Sequence, residues 1–131
     1  MKKKKLIILL SVIIVIAAMG LFIYFNINIE TPTNPIVMAN KYDAEIIMYA
    51  SDSGGRKYPI YDGYNPKIDF SSTSVIGVIN FDQESISPGE TANAVVTLES
   101  SIDLQVGMEF FIIEGTIEVG KGTVKNIYNN K

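Results

Sequence analysis

The chain has 131 residues, a formal net charge of −3, no histidine and no cysteine. Histidine is the commonest general base and the commonest metal ligand in proteins. Its absence, with that of cysteine, excludes Ser–His and Cys–His catalysis within the chain and excludes disulfide bonds. We therefore expect no enzyme, no metal site and no cofactor.

The chain begins with a basic segment, residues 1–5, which contains four consecutive lysines, and continues with an uncharged apolar run, residues 6–25. Twenty residues of α-helix span about 30 Å, the thickness of the hydrocarbon core of a bilayer. The run is apolar on all sides rather than along one stripe, which is typical of a helix in lipid. The pattern predicts a transmembrane signal anchor over residues 6–25.

The lysines predict the orientation of this anchor, because positive charge is retained in the cytoplasm. We expect a single-pass protein of the cell membrane, with residues 1–5 cytoplasmic and the C-terminal domain extracytoplasmic. After residue 5, seven Lys and Arg stand against fourteen Asp and Glu, a net charge of −7. So acidic a segment repels nucleic-acid phosphates and anionic lipid surfaces.

A cleaved signal peptide is the alternative, because Ala18-Met19-Gly20 has the small outer residues that a signal peptidase accepts. The apolar run, however, continues without a polar break to Phe25. A cleavage region is usually less hydrophobic than this, and the pattern favours an anchor that is retained.

An extended stalk is predicted over residues 26–40, since Pro32 and Pro35 prevent helix continuation. From residue 41 to residue 131 the pattern is that of an all-β domain. Period-2 alternation and β-branched residues, separated by Gly, Pro, Asp and Ser turns, predict six or so short strands in a small barrel or sandwich. These strands cover residues 43–50, 67–71, 74–81, 92–99, 109–114 and 117–128.

Six short sequence pieces follow one another at characteristic spacing between residues 41 and 127. They are 41–49, Gly54-Gly55-Arg56 with Pro59 and Gly63-Tyr64-Asn65-Pro66, 70–77, Pro88-Gly89-Glu90 with 96–98, 107–115, and 119–124. Together they resemble the C-terminal domain, the third domain, of the translation elongation factor Tu / 1A family. The resemblance implies a small six-stranded antiparallel β-barrel, which in this chain is preceded by the one transmembrane helix that the apolar run predicts.

The chain departs from the family pattern at positions that carry arginine there. Asn65, Ser71, Ile113 and Ile117 replace those arginines, and Arg56 alone remains. We therefore expect no binding of nucleic acid and predict a non-enzymatic, membrane-anchored binding module whose partner is another protein or an envelope component. The alternative is an elongation factor-related protein that binds tRNA or another factor, without a GTPase, through a cytoplasmic barrel.

The candidate partner-contact residues are Arg56, Tyr58, Tyr61 and Tyr64. Tyrosine and arginine are enriched at protein interfaces. The alternative is structural: the guanidinium bonds loop carbonyls or a carboxylate, and the tyrosine rings cap the edge of the core.

The run from Gly115 to Lys121 fits the start of a phosphate-binding loop, G-x-x-x-x-G-K. Gly122 stands where that motif needs Ser or Thr, and the residues that follow alternate as a strand does. We interpret Gly115, Gly120 and Gly122 as serving a turn and a bend in the last hairpin.

Overall fold

A computed structural model of the protein describes residues 2–27 and 33–129. The chain separates into two compact units, Met1–Thr33 and Asn34–Lys131. The first contains a single helix and the second contains all the strands.

Helix α1 covers Lys2–Ile27 and so contains the whole of the predicted apolar segment. Residues 2–26 are exposed. Helix α1 is long enough to cross a membrane, and its mean hydropathy of 3.2 makes it apolar enough to do so. Its internal polar side chains bond the helix itself: Ser11 Oγ donates to the Ile8 carbonyl at 2.8 Å, and Asn26 Nδ2 donates to the Phe22 carbonyl at 2.7 Å. These hydroxyl and amide groups therefore need no partner from outside the helix.

The second unit contains a closed six-stranded antiparallel barrel, as predicted. The strands are β1 Val37–Met48, β2 Ile60–Tyr61, β3 Lys67–Asp69, β4 Ser74–Phe81, β5 Ser85–Ile86, β6 Thr91–Leu104, β7 Glu109–Glu114 and β8 Ile117–Ile127. The strand order in the barrel is β1–β6–β4–β3–β7–β8, and β2 and β5 form a separate two-stranded sheet.

Two strands match their predicted bounds, β4 and β7. Strand β1 begins at Val37, inside the segment assigned to the stalk, and β6 continues five residues beyond the predicted residue 99, to Leu104. These extensions pair with each other beyond a register shift between Ala39 and Lys41. Of the predicted stalk, residues 28–32 lie outside the described residues. The pair β2–β5 was not predicted, because two-residue strands are too short to show alternation.

The barrel interior is filled by alternate residues of the strands, as period 2 requires. Three aromatic rings meet at its centre, with centroid separations of 6.1 Å for Tyr42–Phe70, 5.6 Å for Tyr42–Phe110 and 5.5 Å for Phe70–Phe110. The two pairs that involve Tyr42 pack edge to face, an arrangement that stabilises aromatic clusters beyond the area that they bury. The largest fully buried side chains are Tyr42, Phe110, Ile46, Ile68, Ile79, Ile86, Leu98, Leu104, Ile112, Val96 and Val124.

The glycines of the last hairpin serve close packing. A Cβ at Gly122 would lie 2.2 Å from the Phe110 ring, and one at Gly120 would lie 2.8 Å from the Ile47 carbonyl oxygen. The register between β7 and β8 shifts next to Gly120, and Gly115 takes a positive φ of 60° in the turn. The Gly-Lys pattern therefore lies within strand β8, where it serves barrel closure.

We predict that Gly122→Ala lowers the free energy of unfolding by about 2–3 kcal/mol, because the new methyl group overpacks the Phe110 ring. Gly107→Ala is the matched control. Its Cβ meets no atom within 4 Å, and only the positive φ of 91° opposes it, so it should cost about 1 kcal/mol. Chemical denaturation of both variants makes the comparison. Equal losses would show that Phe110 does not restrict residue 122.

We predict that Tyr42→Phe raises stability by about 1 kcal/mol, since a buried hydroxyl without a hydrogen bond costs desolvation free energy. Among residues 2–27 and 33–129 the Tyr42 hydroxyl has no partner, and burial raises the pKa of Tyr42. Tyr64→Phe is the control, because the Tyr64 hydroxyl donates to Glu114. That variant should be destabilised. A loss of stability in Tyr42→Phe would contradict the assignment of an unpartnered hydroxyl.

Candidate partner-binding loop

The four candidate residues lie on the segment that connects β1 to β3. A tight turn that contains two glycines begins this segment. Ser51–Ser53 form one turn of 3-10 helix, and the amides of Ser53 and Gly55 donate to the Ala50 carbonyl, both at 3.0 Å. Gly54 has a φ of 86°. A Cβ at Gly55 would lie 2.0 Å from the Tyr49 carbonyl oxygen. The backbone of residue 54 favours glycine and residue 55 has no room for a side chain, so these two glycines allow the turn that directs the following chain.

Arg56 links the candidate loop, residues 56–64, to Glu114 of β7; we call the contacts of Arg56 and Tyr64 with Glu114 the brace. Its Nε lies 2.9 Å from Glu114 Oε1 at the end of β7, and its guanidinium lies 5.5 Å from the centroid of the Tyr64 ring. Both charged side chains are partly shielded from solvent, with exposed fractions of 27% and 34%. A charge-assisted hydrogen bond in this environment is stronger than an exposed ion pair. This geometry agrees with the structural alternative for Arg56.

Tyr64 completes the brace, because its hydroxyl donates to the same carboxylate oxygen of Glu114. Burial, and then the hydrogen bond and the charge of Glu114, raise the pKa of Tyr64, while Arg56 acts against this shift. The tyrosine is half-buried, and its backbone pairs with Ile79 of β4. Glu114 thus holds two of the four candidate residues. No signal in the sequence identified Glu114, since 50 residues separate it from Tyr64.

Tyr58 and Tyr61 point outward, with exposed fractions of 74% and 62%. Between them and the bracing residues lies an open depression of about 440 Å³, lined by Arg56, Asp62, Gly63, Tyr64 and residues 58–61. The four predicted residues therefore lie together around one surface feature. Two of them hold the loop, and two face solvent.

A second tyrosine–glutamate pair involves strand β8, which forms a hairpin with β7. The Tyr49 hydroxyl donates to the Glu118 carboxylate. Burial, followed by the hydrogen bond and the charge of Glu118, raises the pKa of Tyr49 to about 12. Residues on both strands of the β7–β8 hairpin thus bond the segment between β1 and β3. Ile117, exposed at 59%, pairs with Glu114 next to the turn of this hairpin.

The described residues contain no group of three or more His, Cys, Asp or Glu side chains arranged to hold a metal ion. The positions at which the family pattern has arginine are on or near the surface: Asn65, Ser71 and Ile117 are exposed, and Ile113 is partly exposed.

The architecture defines a class: a small closed antiparallel β-barrel accompanied by an N-terminal helix that is able to span a membrane. The family is specific as well. Residues 35–128 match the family model of the Elongation factor Tu C-terminal domain, and the chain belongs to this family. The resemblance seen in the sequence is thereby confirmed. The domain of this family is a non-catalytic barrel.

We predict that Arg56→Ala loosens the loop and speeds tryptic cleavage after Lys57 several-fold, because Glu114 loses its ion pair and Tyr64 loses the guanidinium over its ring. The free energy of unfolding should fall by about 1–2 kcal/mol. Lys41→Ala is the matched control, since it removes the cation that lies 5.1 Å from the Tyr128 ring. It should leave cleavage after Lys57 unchanged. Equal rates of cleavage after Lys57 in Arg56→Ala and in the unmodified protein would show that Arg56 does not hold the loop in place.

Proposed function

We propose that the protein is a membrane-anchored, non-enzymatic binding module, that its barrel lies outside the cytoplasm, and that Tyr58 and Tyr61 contact a protein or envelope component. One observation carries the binding proposal. Two tyrosines with most of their surface in solvent are presented by a loop that an ion pair and a hydrogen bond hold rigid.

Rigidity matters because ordering a flexible loop on binding costs free energy. The loop of this protein is already held by Glu114 through Arg56 and Tyr64. Tyrosine adds a large contact area with few rotatable bonds, which is why it is frequent at interfaces. Arg56, in contrast, uses its guanidinium inside the protein. In our proposal Tyr58 and Tyr61 contact the partner, while Arg56 and Tyr64 hold them in place.

Membrane anchorage is supported by the length and hydropathy of α1 together with the lysines at residues 2–5. Charge that remains in the cytoplasm orients such a helix with its N-terminus inside. The net charge of −7 after residue 5 then belongs to the extracytoplasmic side. This acidic surface, with neutral residues at the arginine positions of the family, gives no support to tRNA binding by the alternative cytoplasmic barrel.

The absence of cysteine makes the orientation testable. Ser101→Cys places a thiol on an exposed position of β6, and Lys3→Cys places one in the basic segment. We predict that a membrane-impermeant maleimide labels Ser101→Cys in intact cells and labels Lys3→Cys only after permeabilisation. The reverse pattern would favour the elongation factor-related alternative. The mass of the labelled protein, compared with 14.4 kDa for the full chain, reports whether the helix is retained.

The partner contact is tested by photocrosslinking in cells. We predict that a benzophenone amino acid at residue 58 or 61 yields a discrete crosslinked product. The same group at Glu99, an exposed position on β6, is the control and should yield none. Crosslinking should fall in the Arg56→Ala background, because the loop is no longer held in place. Products of equal intensity from position 99, or none from positions 58 and 61, would contradict the proposed contact.

A further inference from the structure

A second surface depression lies on the outer face of the barrel, across strands β4, β6 and β1. It has a volume of about 430 Å³, within the range of small-molecule sites. Its centre is a row of three directly paired residues: Asn80 is opposite Val95, and Val95 is opposite Asp43. Paired residues point to the same face, so Val95 forms an apolar floor between two polar side chains.

The two polar groups that flank Val95 are held in position. Asp43 Oδ1 accepts a hydrogen bond from the Tyr128 hydroxyl at 2.7 Å, and Asp43 Oδ2 accepts one from Asn126 Nδ2 at 3.2 Å. Asn80 Nδ2 donates to Asp62 Oδ1 at 3.1 Å. Each carboxylate oxygen of Asp43 and the amide oxygen of Asn80 can still accept a further bond. Such preorganised groups reduce the cost of binding a ligand.

The rim supplies further hydrogen-bonding groups. Asp82, Asn93 and Lys125 line the depression and are exposed. Among the side chains of residues 2–27 and 33–129, neither Asp82 nor Asn93 has a hydrogen-bond partner. Lys125 makes a long ion pair, with its Nζ 3.9 Å from Glu45 Oε1. The site therefore combines carboxylate acceptors, an amide that both donates and accepts, and an ammonium donor.

This chemistry excludes several classes of ligand. Asp43 and Asp82 outnumber Lys125, so phosphates and other anions are repelled. An added peptide strand has no place, because the backbones of Asp43 and Val95 already pair on both sides within the closed sheet. A purely apolar ligand would cover the polar rim without replacing its hydrogen bonds to water.

A neutral sugar matches these groups, because its hydroxyls can donate to the carboxylate and amide oxygens and accept from the Lys125 ammonium. From these observations we infer that the depression binds one neutral pyranose residue of a saccharide. The ring lies with a C–H face on Val95, and its hydroxyls bond Asp43 and Asn80, which stand about 10 Å apart across two strand spacings. The rim groups Asp82, Asn93 and Lys125 bond the outer hydroxyls. This site is distinct from the loop of Tyr58 and Tyr61, and the inference does not rest on the function proposed for that loop.

The inference is tested with the full chain in lipid nanodiscs, by saturation-transfer NMR against the methyl glycosides of glucose, galactose, mannose and N-acetylglucosamine. We expect at least one of the four to bind, and we expect glucuronate, which is anionic, to bind less. Val95→Tyr fills the floor and should abolish binding. Asp82→Ala and Asn93→Ala should each weaken it about tenfold, the effect of one lost hydrogen bond.

The matched control is Thr97→Tyr, the next outward position on β6, which is partly exposed like Val95 but does not line the depression. It should leave saccharide binding unchanged, and near-UV circular dichroism checks that each variant is folded. If Val95→Tyr does not fold, the two rim variants still test the site. Absence of saturation transfer from all four glycosides, preference for glucuronate, or equal effects of Val95→Tyr and Thr97→Tyr would overturn the inference.

Discussion

Closure of the barrel through β1 is the constraint on which the rest of the domain depends. This strand pairs with β6 on one side and with β8, near the chain's end, on the other. The last strand can approach only because Gly120 and Gly122 carry no side chain toward Ile47 and Phe110. The ring of Phe110 then packs against Tyr42 and Phe70. The pairing of β1 with β8, the close approach of β8 at its two glycines and the packing of the aromatic core therefore depend on one another.

Closure also determines where binding is possible. Each of the six barrel strands has a neighbouring strand on both sides, so the barrel has no edge strand. The candidate binding surfaces lie instead on a connection at the end of the barrel and on the side chains of its outer face. The braced loop with Tyr58 and Tyr61 is of the first kind, and the depression over Val95 is of the second. They involve different strands and different chemistry.

Charge distinguishes this chain from the pattern of its family. A barrel of the Elongation factor Tu C-terminal domain family here has Asn65, Ser71, Ile113 and Ile117 at positions where the family pattern has arginine, and the chain after residue 5 is acidic. Arg56 is retained, and its guanidinium is used within the protein by Glu114 and Tyr64. The chain therefore has the fold of the family without the positive charge of the family pattern at these four positions.

The sequence by itself determined the apolar helix, the β class and the family, because hydropathy, period-2 alternation and ordered motifs are local properties of the chain. It also brought Arg56, Tyr58, Tyr61 and Tyr64 together, since they belong to one short loop. It did not reveal the extension of β1 to Val37 or the pair β2–β5, which depend on partner strands.

The tertiary structure alone decided which of the loop residues face inward. Glu114 reaches Arg56 and Tyr64 only because β7 lies beside the loop, and nothing at residue 114 signals this in the sequence. In the same way, Asp43, Asn80 and Val95 share one depression because the register between three strands aligns them. Alternation along a strand predicts which face a residue occupies, but which residues of β1, β4 and β6 lie opposite one another depends on pairing between distant segments.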